Sequence, residues 1–316
     1  MVFVSLQRLI LAAVQYNHAN YSSRGDCLTT HLHDVACAPN SSGLMTMPFP
    51  AETLLLEGAD ASAFAQAQFS SAVTSLAIGQ WQFSAWLNPK GRVLALFHLA
   101  RIADDRYLLL LRGGSATTMA EALQRFVFRS KVFISAQPLR GVATGPALPL
   151  GLVIVASPEE TDFALAFGCD SHSLRATRPA AGDDDWRLQE LRDGWPWLAP
   201  ACIGEHLPPA LSLQRLGAVA VDKGCYPGQE IVARMHFRAG HKRHLHHVIL
   251  SQVMGAGDRL NKDEREAGCV LDVVNNDANV EALVILHDEV AAQANECGTL
   301  LLDQNIKVTL ISTWPA

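Results

Sequence analysis

The chain contains no Cys-x-x-Cys pair, although it holds seven cysteines, at positions 27, 37, 169, 202, 225, 269 and 297. An odd count without paired spacing excludes a secreted disulfide framework, and local spacing suggests no cysteine-based zinc or cluster site. Reduced thiols in a cytoplasmic protein are expected, with no metal. There is no basic excess either. Lys and Arg number 25 against 31 Asp and Glu, a formal charge of −6. That balance argues against a protein built mainly to hold nucleic acid, so DNA binding is not expected and only local basic patches remain open. Met1–Val14 is apolar apart from Ser5, Gln7 and Arg8. It is too short to span a bilayer, and it has neither a basic region ahead of it nor an Ala-x-Ala site behind it. Internal repeats and low-complexity tracts are absent. What is present is an ordinary globular composition, 49% hydrophobic and 18% charged over 316 residues. That is enough for about two or three domains with a sizeable core.

The most specific stretch is residues 222–234, Asp-Lys-Gly-Cys-Tyr-Pro-Gly-Gln-Glu-Ile-Val-Ala-Arg. Pro227 suits a helix first turn, and Ile231, Val232 and Met235 recur at helical spacing. Cys225 is therefore expected just ahead of a helix N-terminus, with Lys223 two residues before it. Unpaired backbone N–H groups and a nearby ammonium both favour thiolate over thiol. The plainer alternative is a small buried residue in a tight turn.

Residues 1–44 are expected to be a loose extension, with Met45 or Met47 as an alternative start. From Glu52 the pattern mixes hairpins with short helices, which indicates α+β architecture. Thr53–Leu56 reads as a strand, and Asp60 as the cap of the next helix. Two apolar runs, 79–87 and 91–102, flank Asn88-Pro89-Lys90-Gly91, whose Pro and Gly suit a type I turn. Tyr107–Leu111 is a third strand, and Ala116–Phe128 a helix with Met119, Leu123, Phe126 and Val127 on one side. Residues 131–135 and 150–155 return to strand. Residues 169–185 look like a weak boundary, and a helix with Trp186, Glu190 and Leu191 starts near Asp185. Beyond the cysteine motif the pattern reads as purely β, with strands at 244–251, 268–274, 280–288 and 305–312. Short strands of this kind suggest a small barrel.

Lys223-Gly224-Cys225-Tyr226, followed by Gly228-Gln229-Glu230 and Ala233-Arg234, resembles the signature of the YgfZ family of folate-binding proteins. Gly58, Asp60, Phe64, Gln66 and Gln68 fit a second segment of that family, Asn88-Pro89-Lys90-Gly91 its Lys-Gly hairpin, and Lys131-Val132 a fourth. The resemblance runs from about residue 45 to the C-terminus and departs at Ala67 and at Pro209-Ala210. It implies an α+β fold like the glycine-cleavage aminomethyltransferase (GcvT-like), with two interlocked α+β regions and a C-terminal β-barrel. Residues 45–240 would form the interlocked folate-binding region, with a ferredoxin-like part at roughly 79–170, and residues 241–316 the barrel. The implied cofactor is tetrahydrofolate or a related folate, with contacts from Trp186, Glu190, Tyr226 and Arg234. Cys225 and Lys223 would form the reactive pair, in a motif completed by Gly224, Gly228, Gln229 and Glu230. The implied partners are iron–sulfur assembly components or client enzymes, with an indirect link to tRNA modification and no membrane.

The enzyme relatives carry an aspartate pair after the hairpin turn, where this chain has Ala95-Leu96, and a glutamate where it has Arg192. The aminomethyltransferase reaction is therefore not expected, though a folate-dependent one-carbon transferase or demethylase remains the alternative. A family tryptophan falls on Ala51. Trp186 also suits core packing, and Trp195 and Trp197 read as packing residues. His236, His241, His244, His246 and His247 crowd together, but strand alternation splits them between faces, so no metal is expected there. Arg234, Arg238, Lys242 and Arg243 form a basic cluster that is either a solvated surface, a contact for a folate glutamate tail, or a contact for RNA phosphates.

Overall fold

The computed structural model describes residues 50–156, 164–177, 185–237, 240–276 and 278–314. The N-terminal extension and Arg238 lie outside the described residues. Strand β1 (Pro50–Ala51) and strand β2 (Thr53–Glu57) are separated by Glu52 alone, yet they enter different sheets. Helix α1 (Ala61–Gln68) leads to the hairpin β3 (Gln80–Leu87) and β4 (Val93–Ala103), then β5 (Arg106–Leu111) and helix α2 (Ala116–Gln124). With β6 (Phe133–Ala136) these strands form an antiparallel sheet in the order β3-β4-β5-β2-β6.

Alternation along the strands explains why this sheet is buried on both faces. Ala95, Phe97, Leu99, Tyr107, Leu109 and Leu111 point to a core shared with α1 and α2. Leu96, Ala100, Leu108 and Leu110 point the other way, joining Trp81, Phe83, Ala85 and Leu87 in a central core. The helices supply the matching stripes, Phe64 and Ala65 from α1, and Ala116, Met119 and Leu123 from α2.

A second sheet, β1-β7-β10-β9-β8, uses β7 (Arg140–Gly145), β8 (Val153–Ala156), β9 (Ala164–Gly168) and β10 (Ser173–Thr177). Besides the β1–β2 crossover, Trp81 N donates to Gly151 O at 2.7 Å and Val153 N to Gly79 O at 2.9 Å, locking the two sheets together.

Helices α3 (Asp185–Arg192) and α4 (Gln229–Phe237) precede a six-stranded antiparallel sheet. Its strands are β11 (Arg243–Leu250), β12 (Arg259–Lys262), β13 (Arg265–Asn275), β14 (Val280–His287), β15 (Thr299–Leu301) and β16 (Lys307–Trp314), in the order β12-β13-β14-β11-β16-β15. The sheet curls. The Asp303 carboxylate, just after edge strand β15, accepts from Asp263 N at 3.0 Å and Glu264 N at 3.1 Å in the turn beyond the other edge strand, β12. Helix α5 (Asp288–Cys297) packs Ala291 and Ala294 into the core of this curled sheet.

The structure departs from several sequence expectations. Asp60 sits at the start of α1 without capping it, because its carboxylate accepts from Lys131 N at 2.7 Å. Helix α2 stops at Gln124, where i→i+3 bonds tighten its end. Phe126 is then 52% exposed rather than on the buried stripe. The stretch 169–185 is no plain boundary, since β10 pairs with both β7 and β9. Nor is the C-terminal part purely β. Asp288 and Glu289 in the first turn and Gly298 at the end of α5 are helix signals that the strand pattern overshadowed.

Candidate functional site

The four segments of the sequence signature meet in space. Gly91 closes the β3–β4 turn with its N–H on Asn88 O at 2.8 Å and adopts φ +74°. Gly228, at φ +80°, packs directly on that turn. A Cβ on Gly228 would stand 2.5 Å from Asn88 O and 2.8 Å from Gly91 Cα. Only glycine tolerates both the left-handed backbone and the contact. Lys223 Nζ donates to Phe69 O at 2.6 Å and Ser71 O at 2.7 Å, immediately after the Phe64–Gln68 segment. Asp60 in turn holds Lys131. These residues stitch the cysteine loop to the first sheet.

Cys225 is exposed on that loop. Tyr226 is buried beneath it, with its hydroxyl donating to Ala220 O at 3.1 Å, and burial pushes its phenol up to about 12. Lys223 Nζ lies 5.0 Å from the Tyr226 ring centroid, and burial lowers the amine to about 8. Two of its three donors are engaged by the carbonyls, which brace the loop. Helix α4 begins only at Gln229, and Gln229 Nε2 donates to Lys223 O at 3.2 Å. Gly224, Glu230 and Arg234 are exposed.

A cavity of about 780 Å³ lies between the first sheet and the curled sheet. Its aromatic walls are Trp86 and Trp197. Its floor is the backbone of Gly113 and Gly114 with Leu94 and Ala95, and its far side is Leu271 and Asp272. Two carboxylates and a guanidinium face it. Glu52 accepts from Ala116 N at 2.5 Å at the start of α2. Arg187 donates to Asp272 at 2.7 Å, and burial nevertheless raises the Asp272 carboxyl above its ordinary range. The volume falls within the range of small-ligand pockets, and an apolar wall with a few fixed polar groups is their usual chemistry. Leu94 and Ala95 leave that part of the wall without a carboxylate.

Behind the cavity runs a fully buried polar network. Arg112 NH2 meets Glu190 Oε2 at 2.8 Å, with side chains 0% and 1% exposed. Arg112 also donates to Trp195 O at 2.8 Å and Pro196 O at 3.2 Å, and Trp197 Nε1 donates to Glu190 Oε2 at 3.0 Å. Burial opposes ionisation of Glu190, but Arg112 and the surrounding donors outweigh it and hold the carboxyl below its ordinary range. Burial and the Arg112 charge push His98, 3.2 Å from the guanidinium, well below the ordinary imidazole range.

None of Trp186, Glu190, Tyr226 and Arg234 lines the cavity. Trp186 is 1% exposed and packs at 5.1 Å against Trp197, which does line it. Trp197, which reads from the sequence as a packing residue, is the tryptophan of this pair that reaches the cavity. The link from the cysteine loop to the cavity is indirect. Phe69, whose carbonyl holds Lys223, forms a bridge with Trp86 of the cavity wall. The histidines do not converge. His244 pairs with Asp288 at 2.5 Å, His246 with Thr313 at 3.0 Å and His247 with Glu281 at 2.8 Å.

Two interlocked antiparallel sheets, a curled C-terminal sheet and a cavity between them define an aminomethyltransferase-like fold. The chain matches the glycine cleavage system aminomethyltransferase T from Bartonella henselae with a TM-score of 0.62, at 17% identity over 83% of each chain. In sequence it is similar to the tRNA-modifying protein YgfZ of Enterobacter sp., 27% identical over 275 residues, 76% of this chain and 84% of the relative. It is also similar to the YgfZ protein of Aliivibrio fischeri, 28% identical over 233 residues, 66% and 72% respectively. No family model matches the chain. The resemblance to YgfZ proteins thus extends over most of its length, and the fold is that of the aminomethyltransferases. No helix among the described residues is long and apolar enough to cross a membrane.

Proposed function

We propose that the cavity binds tetrahydrofolate or a related folate and that the protein supports iron–sulfur enzymes, with Cys225 as its working thiol. The observation that carries this reading is the cavity itself. It offers Trp86 and Trp197 as faces for a flat heteroaromatic ring and Arg187, Asp272 and Glu52 as fixed polar groups, and Ala95 leaves it without the enzyme relatives' acid. Trp86, Trp197 and the Gly113-Gly114 backbone would hold the pterin, whose chemistry is that of a one-carbon carrier. On this reading the protein is a cytoplasmic binding factor, and its bearing on tRNA modification runs through cluster-dependent modifying enzymes. Support for that last step is the similarity to proteins called tRNA-modifying. The exposed Cys225, on a loop braced by Lys223 and Tyr226, supplies a thiol that reaches a partner without unfolding.

The rival reading, a folate-dependent one-carbon transferase or demethylase, is favoured by one feature, the buried Asp272 carboxyl in the cavity wall. Calorimetric titration with tetrahydrofolate, run beside an assay for formaldehyde and methylene-tetrahydrofolate, separates the two. Saturable binding without product is expected. Absence of binding ends the folate reading, and steady-state product formation establishes the rival.

A further inference from the structure

One loop and a strand distant from it in sequence bring three side chains together behind the cavity wall. Cys202 lies at the end of a short 3-10 turn, His206 follows in the same loop, and Cys269 sits on β13. All three are buried, at 1%, 5% and 4% exposure, and one donor atom from each lies within 4.8 Å of the others. The loop is fixed on one side by Gly204 N donating to Val93 O at 2.8 Å and Val93 N donating to His206 O at 2.9 Å. On the other side Cys269 is set by its pairing with Ile285 of β14.

Two buried cysteines alone would be ordinary small core residues. The histidine is what makes this cluster different. His206 Nε2 is buried with no hydrogen bond of normal geometry, its imidazole lying beside the Cys269 thiol, and a buried polar atom left in that state is costly. A divalent ion would satisfy it. Two thiolates would cancel the ion's charge, so the filled site would bury no net charge. A tetrahedral zinc ion, with bonds of about 2.3 Å to sulfur and 2.0–2.1 Å to nitrogen, holds its donors roughly 3.5–3.8 Å apart. The donors reach that spacing by closing about 1 Å.

We propose that Cys202, His206 and Cys269 form a buried binding site for a zinc-class divalent ion, with two sulfur ligands, one imidazole and a fourth position left to water. The site has a structural consequence. Pro200 and Ile203, either side of Cys202, and Leu271, just beyond Cys269, all line the 780 Å³ cavity. The ion therefore clips the cavity's loop wall to the curled sheet, independently of what the cavity binds.

The test uses the full-length protein, reduced, stripped with a chelator and titrated with Co2+ and then Zn2+. One equivalent of Co2+ should bind, with thiolate-to-cobalt charge-transfer absorption and the intense visible bands of a tetrahedral site, and Zn2+ should displace it. Cys202→Ser, Cys269→Ser and His206→Ala should each weaken binding by more than about 100-fold, beyond the 10–100-fold lost when only an outer partner of a ligand is removed. Cys225→Ser, Cys297→Ser and a Cys27→Ser/Cys37→Ser pair should leave it unchanged. X-ray absorption of the zinc-loaded unmutated protein, which no folding defect can confuse, should count two sulfur neighbours. Failure to take up a stoichiometric ion overturns the proposal. So does a zinc shell without sulfur, or uptake that survives Cys202→Ser/Cys269→Ser.

Discussion

The Arg112–Glu190 pair offers the sharpest test of how the site is supported. Glu190→Gln keeps the shape of the side chain and removes its charge. The Arg112 guanidinium, 0% exposed, would then keep Trp195 O, Pro196 O and His98 Nε2 around it, with no counter-charge among them. Breaking a buried pair from one side typically costs about 3–5 kcal/mol. At about 2–4 °C per kcal/mol for a domain of this size, the melting temperature should fall by about 6–20 °C. Replacing both partners by apolar residues, Arg112→Met with Glu190→Leu, should restore much of the loss, because no buried charge then remains. The pH dependence has a definite sign. The folded carboxyl titrates below its ordinary value of 4.5, so its stabilisation is complete above that value and disappears as pH falls through the lower, folded value. Thermal unfolding of Glu190→Gln should accordingly show a flatter slope below pH 4.5 than the unmutated protein. A melting temperature within about 2–4 °C of the unmutated protein, equivalent to 1 kcal/mol or less, would refute the claim that this pair anchors the cavity's back wall.

Gly228→Ala should destabilise the protein by at least about 1–2 kcal/mol, the cost of a left-handed backbone at a residue with a Cβ, whereas Gly224→Ala, whose Cβ would meet nothing, should be near neutral in denaturant titrations. Lys223 is lowered to about 8 in the folded state against 10.5 unfolded. The unfolded chain therefore holds the extra proton between those values, and stability should rise with pH there by a component that Lys223→Met removes. Trp197→Phe should weaken tetrahydrofolate binding by about 1–3 kcal/mol and remove part of the fluorescence response, while an unchanged titration would take Trp197 out of the site. Cys225 should be alkylated in the native protein far faster than buried Cys169, Cys202 and Cys269. Cys225→Ser should fold normally but fail to support iron–sulfur enzymes in cells, and full complementation by that variant would leave the thiol without a role.

By itself the amino-acid sequence determined the α+β class, the β3–β4 hairpin and its turn, the start of α3 and most strands of the C-terminal sheet. These rest on local rules: alternation, turn chemistry at Pro89 and Gly91, and the amphipathic run that starts near Asp185. It also marked the residues of the cysteine loop, because Lys223, Cys225 and Gly228 fall in the stretch that resembles the YgfZ signature. What those residues do was decided in three dimensions. Gly228 is required because the β3–β4 turn presses on it, and Lys223 reaches across to Phe69 and Ser71. Trp186 and Trp197 both belong to the central core, yet only the tertiary packing brings Trp197 to the cavity wall and leaves Trp186 behind it. Arg112 with Glu190, or Cys269 with Cys202 and His206, could not be grouped from spacing. Burial joins charges and donors that the chain keeps far apart, and the cost of leaving such groups unpaired is a property of the folded interior, not of any local stretch.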